Sequence, residues 1–115
     1  MAVNIIVTGA AGRMGSTVCR MVQDDPNLCL AAVVERPGQE NSLGVWEVLK
    51  GTSLDDILPQ GPGAVIIDFS SPEASVANAK VAAKHGNPLV IGTTGLTSAQ
   101  KDELMAEASK TPIFW

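Results

Sequence analysis

The sequence predicts an α/β domain: a doubly wound parallel sheet of Rossmann type, one domain over residues 1–115. Three observations predict it. Short apolar runs rich in β-branched residues recur at 4–8, 28–35, 64–69, 88–91 and 112–115. Continuous apolar runs bounded by glycine or proline read as strands buried on both faces. Helical segments alternate with them, which is the βαβ pattern of a parallel sheet with right-handed crossovers. A glycine-rich turn joins the first strand to the first helix, where such folds place their ligand loop.

Each element has its own signals. The run Asn4-Ile5-Ile6-Val7-Thr8 ends at Gly9. Met14, Val18, Met21 and Val22 then recur at helical spacing, with Arg13, Thr17, Arg20 and Asp24 on the other faces, and Asp25-Pro26-Asn27 stops the helix. The second strand runs from Leu28 to Glu35, and Arg36-Pro37-Gly38 breaks it. Residues 37–52 read as a loop, with a brief strand near Val48 and Leu49. Ser53 is the expected N-cap of a helical turn carrying Asp55 and Asp56 in its first turn. Turn residues fill 59–63 before the strand at 64–69. A helix is expected over 72–85, with Gly86 as its C-terminal stop. Two N-terminal caps fit it: Ser71 with Pro72 in the first helical position, or a capping box of Ser70 and Glu73. After the strand at 88–91, Thr97-Ser98-Ala99-Gln100 is a capping box opening a helix to about residue 109. Pro112-Ile113-Phe114-Trp115 begins another strand.

Composition narrows the function classes. The chain has 115 residues and a net charge of −4, with a pI near 4.7. It shows no basic face, so nucleic acid and anionic membrane are poor partners. No apolar run reaches the ~20 residues of a membrane span and no signal peptide opens the chain, so a soluble cytoplasmic protein is expected. Cys19 and Cys29 form no metal or redox spacing, and both are expected as reduced thiols in the core. No nucleophile–base pair, carboxylate dyad or metal cluster is legible, and His85, at a helix C-terminus, reads as structural.

The turn Gly9-Ala10-Ala11-Gly12-Arg13-Met14-Gly15 is a GxxGxxG variant of the dinucleotide fingerprint. Gly9 permits the tight turn, Gly12 lets backbone approach a pyrophosphate, and Gly15 lets the helix pack close to the strand. Arg13 stands in the first helical turn, where the macrodipole is already positive, and no acid occurs before residue 24. A phosphate would neutralise it. Glu35 closes the second strand 20 residues after Gly15, the position of a carboxylate that takes ribose hydroxyls. Arg36 follows, able to pair with a 2′-phosphate or stack on adenine. Together they point to a site that accepts NADH or NADPH. Asp68-Phe69-Ser70-Ser71 and Gly92-Thr93-Thr94-Gly95 occupy two further strand ends. The second is a loop of amides and hydroxyls suited to a nicotinamide carboxamide or an anionic substrate.

In order along the chain, the glycine loop, Glu35-Arg36-Pro37-Gly38, Ile67-Asp68-Phe69-Ser70 with Pro72-Glu73, and Val90-Ile91-Gly92-Thr93-Thr94-Gly95 resemble the cofactor domain of the 4-hydroxy-tetrahydrodipicolinate (dihydrodipicolinate) reductase family. The resemblance spans the whole chain. It implies NAD(P)H-dependent reduction of a cyclic imine-type dicarboxylate on the diaminopimelate route to lysine. It assigns Gly9, Ala10, Ala11, Gly12, Arg13 and Met14 to the pyrophosphate, Glu35 to the ribose and Arg36 to the 2′-phosphate. Phe69, Gly92, Thr93 and Thr94 fall to the nicotinamide, with Thr94 nearest the substrate.

The family's second domain, with its His-His…Lys motif, proton donor and usual homotetramer, has no counterpart in this sequence. The chain is therefore expected to be an N-terminal piece that binds cofactor without turnover and holds no catalytic residue of its own. The alternative is a stand-alone, non-catalytic NAD(P)-sensing module.

Overall fold

The apolar runs become six parallel strands in a computed structural model that describes residues 2–115. They are β1 (Val3–Thr8), β2 (Leu28–Val34), β3 (Leu49–Gly51), β4 (Val65–Asp68), β5 (Leu89–Ile91) and β6 (Ile113–Phe114). Their spatial order is β3-β2-β1-β4-β5-β6. The helices are α1 (Arg13–Asp24), α2 (Leu54–Ile57), α3 (Pro72–His85) and α4 (Ser98–Ala108), with 3-10 turns at Glu40–Leu43 and Leu58–Gln60. The chain builds outward from β1 to β3 and then restarts on the other side of β1 with β4. The loops leaving β1 and β4 therefore diverge to opposite faces, and a crevice opens between them.

The strands alternate their side chains between two cores. Ile5, Val7, Leu30 and Val33 pack with Cys19 and Val22 of α1 and with Leu43 and Trp46. Ile6, Ala32, Val34 and Ile66 pack with Leu54, Val76, Ala79 and Leu104 on the other face. One residue breaks the alternation. The β1–β2 register passes from Ile5↔Leu30 to Ile6↔Ala32, leaving Ala31 unmatched, so Ala31 and Ala32 both contribute to the second core. A bulge of this kind is invisible in an unbroken apolar run.

Several expectations need correction. Helix α1 does not bury Met14 and Met21, which are 54% and 65% exposed. Its buried stripe is Gly15, Cys19 and Val22, with Val18 half-buried. Close backbone packing at Gly15 rotates that stripe toward the sheet. Only one thiol lies in the core: Cys29 is exposed near the start of β2, opposite the exposed Asn4 at the sheet's end. Burial pushes the Cys19 thiol up to about 11, leaving it protonated and unreactive at neutral pH. Ser53 is the N-cap of α2, but its side chain makes no capping hydrogen bond.

The long helices follow their signals closely. Of the two possible caps for α3, Ser71 is used: its Oγ accepts the Ala74 N–H, with Pro72 in the first turn. The capping box at Thr97 and Gln100 forms in both directions. His85, at the end of α3, pairs through Nε2 with Asp55 Oδ1 at 2.7 Å, and Lys84 reaches the same carboxylate at 3.3 Å.

Two outcomes follow from this packing. Leu104 is the fully buried anchor of α4, and Leu104→Ala should lower unfolding stability by about 3 kcal/mol in urea titrations. The hydrogen bond from His85, aided by Lys84, holds the Asp55 carboxyl below its ordinary value of 3.8. A lowered folded-state value gives stability that is present above 3.8 and lost as pH falls through the folded-state value. Thermal melts of the wild type should therefore decline more steeply on acidification below pH 4 than those of Asp55→Asn.

Candidate functional site

A cleft of about 510 Å3 lies over the carboxyl ends of β1, β2 and β4. It is lined by Gly9, Ala11, Gly12, Glu35, Arg36 and Phe69 among the residues singled out in the sequence. Thr8, Gln39, Thr52, Ser70, Ser71 and Asn78 complete its polar lining.

The glycine loop is shaped by backbone packing against backbone. Gly9 sits at φ +70°, and a Cβ there would stand 1.9 Å from the Phe69 carbonyl oxygen. A Cβ on Gly15 would stand 2.0 Å from the Gly9 carbonyl oxygen. Both positions exclude any side chain. Ala10 is fully buried beneath the loop, while Met14 points to solvent, and neither lines the cleft.

Helix α1 begins at this loop without a side-chain cap and without an acid in its first turn. Among the described residues no side chain caps its first N–H groups at the positive end of its dipole. Arg13 adds a further charge, and among the described residues its guanidinium has no ion-pair partner. Glu35 is half-buried and held from two sides. Its Oε2 accepts the Ala11 N–H at 3.0 Å, and its Oε1 accepts the Arg36 N–H at 2.9 Å. The carboxylate is thus fixed against the glycine loop, with one lone pair on each oxygen still free to accept. Arg36 is exposed at the cleft rim.

Gly92, Thr93 and Thr94 are not part of the cleft lining. The first two are built into its wall from behind. A Cβ on Gly92 would lie 2.2 Å from the Phe69 ring, and Thr93 Oγ1 accepts the Ser70 N–H at 3.0 Å. Thr94 is exposed beside them.

The sequence reading missed Asp68 as more than a strand end. It is fully buried, and its carboxylate accepts from Thr8, Ser70, Ser75 and Asn78. A signal was available: an acid closing an otherwise apolar strand, with Ser75 and Asn78 three apart on the following helix. Among the described residues no cluster could hold a metal ion. None of their helices is long and apolar enough to cross a membrane.

The family model described as dihydrodipicolinate reductase, N-terminus, matches residues 3–115. The chain belongs to this family. It is 57% identical over 115 residues to the 4-hydroxy-tetrahydrodipicolinate reductase of Nitratidesulfovibrio vulgaris (strain DSM 19637 / Miyazaki F), covering 100% of this chain and 44% of that protein. It is 43% identical to the reductase of Lawsonia intracellularis over the same shares of each. The chain thus spans less than half the length of these relatives. Dipicolinate-bound dihydrodipicolinate reductase from Paenisporosarcina sp. TG-14 superimposes with a TM-score of 0.78 at 23% identity, covering 94% of this chain and 43% of that one. GenD2 from gentamicin A biosynthesis, in complex with NAD, gives 0.81 at 17%, covering 98% and 34%. At such identities the likeness is one of fold.

The backbone contact at the family's glycine loop makes a direct forecast. Gly9→Ala, which forces a Cβ into the Phe69 carbonyl at a positive φ, should cost at least about 2 kcal/mol in denaturant unfolding.

Proposed function

We propose that residues 1–115 form the NAD(P)H-binding domain of a 4-hydroxy-tetrahydrodipicolinate reductase. The whole enzyme would reduce a cyclic imine-type dicarboxylate on the lysine and diaminopimelate route, in the cytoplasm. The observation that carries this reading is Glu35, whose carboxylate is clamped against the glycine loop beside the uncapped start of α1. An anion acceptor and a hydroxyl acceptor side by side suit the pyrophosphate and ribose of a dinucleotide.

The residues fit such a cofactor in their chemistry. The first turn of α1 and Arg13 would take the pyrophosphate. Glu35 would accept ribose hydroxyls through its free lone pairs, and Arg36 would meet a 2′-phosphate when one is present. Phe69, Gly92, Thr93 and Thr94 would border the nicotinamide, with Thr94 toward the substrate. The cofactor, when bound, supplies the hydride. The chain's own part is to bind and orient it. No group in the cleft is assigned to deliver a proton, so the chain alone should bind without turnover.

Fluorescence titration of the 115-residue chain with NADH and NADPH tests this. Saturable binding is expected, and the double variant Gly12→Val with Glu35→Ala should weaken it at least about tenfold. Arg36→Ala should cost NADPH more than NADH. A folded chain that binds neither at millimolar concentration would overturn the proposal.

A further inference from the structure

Asp68 closes β4, the first strand added on the other side of β1, and it is fully buried. Its Oδ1 accepts from Thr8 Oγ1, from Ser70 Oγ at 2.6 Å and from Asn78 Nδ2 at 3.3 Å. Its Oδ2 accepts from Ser75 Oγ at 2.6 Å. Three donors thus crowd Oδ1 and one meets Oδ2, so both oxygens are held by protein groups. Every one of them is neutral, and among the described residues no lysine, arginine or histidine pairs with Asp68. A buried acid without a cation is poor value for stability alone, since a well-packed apolar residue commonly serves a core better.

What the carboxylate does is join segments. Thr8 directly precedes Gly9, and its carbonyl also accepts the Phe69 N–H at 3.2 Å. Ser70 directly follows Phe69. Ser75 and Asn78 belong to α3. The backbone carbonyl of Asp68 accepts the Gly92 N–H at 2.8 Å. One residue therefore ties the end of β1 to the loops leaving β4 and β5 and to the first turns of α3. Glu35 and Arg36, at the end of β2, and the glycine loop that Glu35 holds make no bond to Asp68.

We propose that Asp68 is a positioning residue of the dinucleotide cleft, setting the Phe69–Ser70 turn and the Gly92 end of β5 at the spacing that the nicotinamide half of the cofactor requires. The proposal rests on the NAD(P)H-binding reading above. It adds that the nicotinamide half depends on a network which the adenosine half does not use.

The test compares NADH with 5′-AMP, a probe limited to the adenosine half, on the 115-residue chain. Asp68→Asn keeps the size but turns one acceptor into a donor facing hydroxyls. It should weaken NADH about tenfold and leave 5′-AMP within about twofold, because bonds to a charged acceptor are the strong ones. Ser75→Ala is the second variant. Ser75 is fully buried and does not line the cleft, and alanine suits a helix, so the variant should fold even if Asp68→Asn does not. It should weaken NADH about threefold, again sparing 5′-AMP. Circular dichroism melts check folding in each case. A merely structural role would lower both ligands together through the folded fraction, and that result would overturn the proposal. So would unchanged NADH binding in folded variants of a wild type that binds. A wild type that binds no NADH overturns the NAD(P)H reading itself, and this proposal with it.

Discussion

The site depends on one steric constraint: backbone must touch backbone where β1 turns into α1. Gly9 lies against the Phe69 carbonyl and Gly15 against the Gly9 carbonyl. Those two contacts set how near α1 stands to the sheet and how near the β1 turn stands to the β4 turn. Everything above them inherits that spacing. With α1 drawn in, Gly12 at its uncapped N-terminus lines the crevice, and Ala11 comes within reach of Glu35 at the end of β2. A single methyl group at either glycine would reopen the gap by more than the length of a hydrogen bond's tolerance.

Polar bonds then hold what the glycines bring together. Glu35 ties the end of β2 to the glycine loop, and Asp68 ties the ends of β1 and β4 to α3. The two carboxylates differ in environment and so in use. Glu35 is half-buried, with lone pairs open to the cleft. Asp68 is sealed from solvent, and both of its oxygens are held by protein donors. An acid of the first kind is free to bind a ligand, while one of the second kind can act only through the segments it joins. Phe69 lies between these influences, gripped by Gly92 behind and by the Thr8 carbonyl at its N–H.

Much of this was legible before any coordinates. Strand positions, the order of elements and the cap of α4 follow from local chemistry, because a Thr-x-x-Gln box acts within a few residues, whereas α3 offers two caps in the sequence and the structure selects Ser71. Glu35 was legible too, since its distance from Gly15 is a fixed consequence of one βαβ unit. What stayed hidden depends on contacts between distant segments. The face of α1 turned because Gly15, which carries no hydrophobic signal, is the point of closest approach. Ala31 bulged because of its pairing with β1, which its own run cannot reveal. The Asp68 network joins residues 60 apart in the chain, Thr8 and Asp68, and no spacing rule covers such a pair.

Charge shows why the local arrangement outweighs the total. The chain carries −4 overall, which on its own repels an anionic ligand. Screening at physiological salt limits that repulsion to roughly 8 Å, so a bound group responds to the few charges inside that range. Around the glycine loop these are the positive end of α1, Arg13 in its first turn and Arg36 at the cleft rim, set against Glu35 and the buried Asp68. Glu35 spends part of its charge on the Ala11 and Arg36 N–H groups, which weakens its repulsion of a nearby phosphate while preserving its ability to accept from a hydroxyl. Several acids of the chain are balanced elsewhere. Asp55 sits with His85 and Lys84, and Glu103 and Glu107 pair with lysines around α4. Asp55, Glu103 and Glu107 are thus balanced by their own cations, and a group at the end of the sheet where α1 begins meets the charges set around the crevice rather than the total.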